Sequence, residues 1–124
     1  MNLEIRSFAD AGNLLKERII LKALTDLDVG EYAVFRSGVG SRGGTPTSGR
    51  KIAYWFPDED VKADDLVVLY TKRGSRGAKG IEGGRTAYFF YWGRDEPLWN
   101  DDKFGAVLLE VADWEFELPR LDPR

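Results

Sequence analysis

The chain is a succession of short runs of β-branched and aromatic residues, most of them closed by glycine, proline, aspartate or serine. The plainest runs are residues 50–56 (RKIAYWF), 66–72 (LVVLYTK) and 85–93 (RTAYFFYWG). Such side chains suit a pleated, half-buried surface, and the bounding residues supply turns. Residues 31–37 (EYAVFRS) alternate roughly apolar and polar, and residues 114–118 (WEFEL) do so strictly, as a strand with one buried face would. Residues 104–111 (FGAVLLEV) add another run, and residues 3–8 (LEIRSF) read as an edge strand. Residues 17–24 (ERIILKAL) have spacing that also suits a helix, but the Ile19–Ile20 pair and the TDLDVG turn that follows favour a strand. About seven or eight strands in 124 residues, with no internal repeat, predict an all-β antiparallel sandwich. The segment from Tyr88 to Trp92 is apolar on both faces, which places its strand centrally and points to core packing. Phe56, Val68, Phe90 and Leu108 are expected in that core.

Composition narrows the chemistry. Hydrophobic residues make up 43% of the chain, enough for a real core. No apolar run approaches the roughly 18 residues of a membrane span. Glu4, Asp10 and Glu17 interrupt the N-terminal region, which therefore does not read as a signal peptide, and a cytoplasmic location is expected. There is no cysteine and no histidine. Thiolate and imidazole zinc sites and Ser-His or Cys-His nucleophiles are excluded. Acid–base work would fall to carboxylates, lysine or tyrosine with large pKa shifts. The expectation is a protein that is not an enzyme and carries no metal or cofactor.

Residues 55–70 (WFPDEDVKADDLVVLY) crowd Asp58, Glu59, Asp60, Asp64 and Asp65 between an aromatic and an aliphatic run. A calcium loop beginning at Asp58 fails, because Lys62, Ala63 and Leu69 fall where an oxygen ligand, glycine and glutamate are needed. Pro57 ends ladder pairing and Asp64–Asp65 favours a turn, so the stretch is read as a charged inter-strand connection. Asp101 and Asp102 could meet Asp58 and Asp60 as a glycosidase-like carboxylate pair, but nothing in the sequence fixes their separation.

Two glycine-rich connections carry the positive charge. Residues 36–51 hold Arg36, Arg42, Arg50 and Lys51 with no acid, and residues 72–85 hold Lys72, Arg73, Arg76, Lys79 and Arg85 against Glu82 alone. Glycine lets backbone N–H groups approach an anion, and arginine adds charge and a flat stacking surface. The plain alternative is a pair of solvated hairpin loops. Counting connections alternately puts loops 37–49 and 73–84 at one end, and 25–29, 57–65 and 94–103 at the other. The net charge of −3 would then conceal one basic and one acidic end. Arg42, Arg50, Lys51, Arg73, Arg76 and Lys79 are the candidate anion-binding residues.

The order of motifs resembles the lamin-tail domain, an immunoglobulin-like sandwich, over residues 17–112. The resemblance rests on Gly30-Glu31-Tyr32, on Phe56-Pro57, on Asp65-Leu66-Val67-Val68-Leu69, and on Asn100-Asp101-Asp102 before Ala106-Val107-Leu108-Leu109. The family's glycine–tryptophan signature after the second strand is replaced here by the loop SGVGSRGGTPTSGR, which points to a divergent bacterial branch and carries over no partner-binding residue. The resemblance implies an immunoglobulin-like fold over residues 17–124, with residues 1–16 as an edge strand or extension. It also implies a non-catalytic binding module. An anionic partner, nucleic acid among the candidates, would meet the basic end. The alternatives are a carbohydrate-binding module using Trp55, Trp92, Trp99 and Trp114 as a platform, or a structural domain that binds a protein partner or its own copies. No membrane contact is expected.

Overall fold

The computed structural model describes residues 1–40 and 51–122. Among the described residues ten strands form: β1 (Leu3–Ala9), β2 (Arg18–Ala23), β3 (Leu27–Asp28), β4 (Tyr32–Gly38), β5 (Ile52–Trp55), β6 (Asp60–Val61), β7 (Leu66–Tyr70), β8 (Gly77–Ile81), β9 (Arg85–Tyr91) and β10 (Phe104–Glu110). The fold is all-β, and among the described residues no helix is long and apolar enough to cross a membrane.

One sheet has five strands in the order β1-β2-β7-β9-β8, and another has three in the order β10-β4-β5. The two-residue strands β3 and β6 pair with each other. Alternate residues of both larger sheets share one core. Leu3, Ile19, Leu21, Val67, Leu69 and Phe90 come from the first sheet and Tyr32 and Val34 from the second, with Phe56 just beyond β5. The Phe56 and Phe90 rings meet edge to face at 5.2 Å, an arrangement favoured by the ring quadrupoles. Leu108 is partly buried against this cluster. Val68 is buried as expected but not in this core. It alternates with Val67 and Leu69, so it faces the other side of its sheet, in register with Ile20 and Phe89.

The five-stranded sheet is mixed rather than purely antiparallel, because β7 and β9 run parallel. The cause is β8, which lies within the stretch read as a loop. The chain rises along β7, returns along β8 and then inserts β9 between the two. The tight reversal from β8 to β9 uses Gly83 and Gly84 at φ 78° and 73°, values that L side chains rarely adopt. β8 has the composition GAKGI and is exposed up to Ile81, so burial places little demand on its residues. The strand from Tyr88 onward is interior, though β7 and not β9 takes the central place.

Residues 114–118 form no strand despite their alternation, and Trp114, Phe116 and Leu118 are exposed. β10 ends at Glu110, and beyond Val111 the backbone makes no backbone–backbone hydrogen bond among the described residues. β1 occupies an edge of the five-stranded sheet and sends Leu3 into the core.

Candidate anion-binding cleft

Buried carboxylates position the segments that form the site. Glu17 is fully buried, and its oxygens accept from the backbone N–H groups of Gly12 (2.9 Å), Leu98 (2.8 Å) and Trp99 (3.3 Å) and from the Thr71 hydroxyl. One side chain thus ties the β1–β2 turn, the end of β7 and the β9–β10 connection together. The sequence offered one hint of this: a lone glutamate at the head of an apolar strand.

Asp65 acts similarly at the opposite end, accepting from Lys62 N at 2.9 Å and Thr86 N at 2.8 Å. Asp28 accepts from Gly30 N and Glu59 N, and Asp26 from Ala63 N. Connections 24–31 and 57–65 therefore share one end, and several of their acids serve as backbone acceptors.

The expected separation into a basic and an acidic end does not hold. Gly93 N donates to Lys72 O and Arg94 N to Thr71 O, while Val39 N donates to Lys103 O. The 94–103 connection therefore sits with 71–76 and with the exit of β4. The unrecognised strand β8 reversed the parity of every connection after it. The reversal brings Asp95 to Arg73, and Arg76, directly before β8, separately reaches acids of the 57–65 connection. Arg73 pairs with Asp95 at 3.2 Å, and Arg76 pairs with Glu59 at 2.9 Å and also donates to Asp58 O.

The candidate cations thus have different surroundings. Arg73 and Arg76 are held by acids. Lys79 lies on edge strand β8, exposed and without an ion pair among the described residues. Arg42 and Arg50 lie outside the described residues. Lys51 donates to Ser37 Oγ at 3.1 Å and lines an open cleft of about 550 Å³ with Arg36, Ile52, Ala53, Arg94 and Phe104. These lining residues include three cations and no acid.

The cleft follows from strand register. Arg36 of β4 stands opposite Ile52 of β5 on one side and Ala106 of β10 on the other. Its guanidinium lies 3.6 Å from the centroid of the Phe104 ring, and its Nε donates to Leu98 O at 2.9 Å. The stacked ring and the carbonyl hold the guanidinium plane, leaving further N–H donors for a ligand. Arg94, just past Gly93 at φ 82°, lines the same cleft and makes no ion pair among the described residues. An adjoining cleft of about 470 Å³ shares Arg36, Ile52 and Arg94 and includes Asp95 and Glu96. The Arg73 pairing to Asp95 bears on the charge of that neighbouring wall. Sequence reading found Lys51 and named Arg36, but it missed Arg94, which stands beside two acids in sequence and joins the basic group only through the fold.

The tryptophans do not form a row. Trp99 is buried, Trp92 packs against the core, and their rings meet at 6.2 Å. Trp55 and Trp114 are exposed but meet at 77°, which presents no common flat face.

The chain matches no protein-family model, and a search of curated proteins finds no relative.

Proposed function

We propose that this protein is a non-catalytic binding module, an immunoglobulin-like sandwich of lamin-tail type. In this reading it holds single-stranded nucleic acid at the Arg36–Lys51–Arg94 cleft. The observation that carries the reading is a cleft whose described lining residues include three cations and no acid. The sequence adds Arg42 and Arg50 in the connection that leads to Lys51. Phosphates would meet the guanidinium and ammonium groups, and the exposed cation Arg94 would contribute charge without first breaking an ion pair. Contacts of this kind hold a backbone without reading base edges, so binding is sequence-independent.

Features of the lamin-tail motif have physical roles here that support the architectural reading. A Cβ on Gly30 would lie 2.9 Å from the Asp58 Cα, so the glycine before Glu31-Tyr32 allows two connections to cross closely. Pro57 follows directly on the strand β5 and the buried Phe56. Asn100-Asp101-Asp102 turns the chain into β10, with Asp101 accepting from Lys103 N at 2.6 Å.

Titration of labelled single-stranded DNA and RNA at low salt tests the function. Affinity is expected to fall with a log–log salt slope of roughly −0.7 per neutralised phosphate. Arg94→Glu should weaken binding on every sequence alike while leaving the unfolding midpoint unchanged. Lack of binding at high micromolar protein, or binding indifferent to Arg94→Glu, would reject the nucleic-acid reading.

A further inference from the structure

Residues 112–121 follow β10 without joining a sheet. After the bond from Val111 N to Glu31 O, their backbone makes no backbone–backbone hydrogen bond among the described residues. Within them Trp114, Phe116 and Leu118 alternate with Glu115 and Glu117, and the three apolar side chains are 64%, 69% and 73% exposed. In extended conformation this segment has one apolar face and one acidic face. It has the pattern of a strand but pairs with no strand among the described residues.

β8 presents the complementary situation. It ends the five-stranded sheet and, among the described residues, forms backbone hydrogen bonds only with β9. Register with β9 puts Ala78 and Gly80 on the side of Tyr88 and Thr86, and Lys79 on the side of Ala87. The small residues leave space beside the edge for large apolar side chains. A lysine on an exposed edge usually discourages strand addition, unless the incoming strand brings acids to meet it.

We propose that residues 114–118 of one copy add as a strand to β8 of a second copy. Glu115 and Glu117 then flank Lys79 on one face, while Trp114, Phe116 and Leu118 cover Ala78 and Gly80 on the other. The segment is directed away from β8 of its own chain. Trp114 packs edge-on at 5.6 Å against Trp55, whose neighbour Tyr54 faces the core, so the tail departs from the outer face of the three-stranded sheet. Tail and edge are different surfaces, so the contact is head-to-tail. Each added copy leaves one free edge and one free tail, which generates chains or closes into a ring. The interaction is independent of the anion-binding cleft.

Sedimentation of the full chain over a range of concentrations is the test, read as a mass that grows with concentration. Lys79→Glu alone and the double change Glu115→Lys, Glu117→Lys alone should each be monomeric, since each sets like charges against like. Mixing the two proteins should restore association, because each then offers an edge matched to the other's tail. Truncation after Ala112 should abolish it with the unfolding midpoint retained. A full-length chain that stays monomeric at high micromolar concentration overturns the proposal. Variants that associate as the parent does, or a mixture that stays monomeric, overturn it equally.

Discussion

The Thr71 hydroxyl donates to the carboxylate of Glu17, and both residues lie almost wholly out of contact with water. Glu17 also accepts three backbone N–H groups, so it holds an internal junction of three chain segments. Truncation of Glu17 to Ala would leave those donors buried and unpaired. The expected cost is about 3–5 kcal/mol, measured by urea unfolding. Thr71→Val removes a single donor and should cost roughly 1–2 kcal/mol. A Glu17→Ala protein within a few tenths of a kcal/mol of the parent would show that the junction contributes nothing to stability.

Phe90 joins the two sheets through its edge contact with Phe56. Phe90→Ala should cost about 3–5 kcal/mol by removing a buried ring whose neighbours cannot fully close the space. Calorimetry should register the loss as a lower Tm with the transition still cooperative.

At Gly30 the constraint is steric. An added Cβ would stand 2.1 Å from Asp58 Oδ1 and 2.9 Å from the Asp58 Cα, and the backbone atom cannot move aside as a flexible side chain can. Gly30→Ala is therefore expected to destabilise by about 1–3 kcal/mol, although alanine normally stiffens the unfolded chain favourably. An alanine variant more stable than the parent would contradict this packing.

Alkaline pH should weaken the fold. Burial raises the Tyr54 hydroxyl above its ordinary value of 10.0, with the Arg76 charge opposing the shift. Burial also raises Tyr88, with smaller contributions in the same direction from Asp65 and Glu59. A raised folded-state pKa means that the native protein holds its proton more tightly than the unfolded chain. The stability gained is fully present below about pH 10 and is lost as pH climbs through the folded-state values. Denaturant midpoints followed across that range should fall, and Tyr54→Phe should flatten the decline. A profile indifferent to that change would remove Tyr54 from the effect.

The legible and illegible parts of the fold divide along burial. Strands β2, β5, β7, β9 and β10 were readable because their inward residues must be apolar. β8 was not, since an exposed edge strand of glycine, alanine and lysine satisfies no such demand. Missing it altered more than one element. Each connection beyond it changed ends, which dissolved the expected charge separation and hid the grouping of Arg94 with Arg36 and Lys51. The error at residues 114–118 was the reverse. Alternation there is real, but a strand also needs a neighbour, and sequence periodicity does not supply one. The position of Glu17 only hinted at a junction, because its partners lie up to 82 residues away along the chain.

The placement of β9 between β7 and β8 has a kinetic consequence. On leaving β7 the chain cannot fold β8 straight back into a hairpin, because the adjoining position is reserved for a strand not yet placed. β8 pairs instead with β9 across the tight turn at Gly83 and Gly84, and that local hairpin must then dock through β9 in parallel against β7, closing a loop over the intervening segment. In refolding, the amides of residues 77–81 should gain lasting protection from hydrogen exchange no earlier than the docking of β9 against β7. In the native state they should exchange first, through an opening that leaves the rest of the sheet intact. The outer margin of this sheet is thus a structure with its own lifetime, shorter than that of the body it borders.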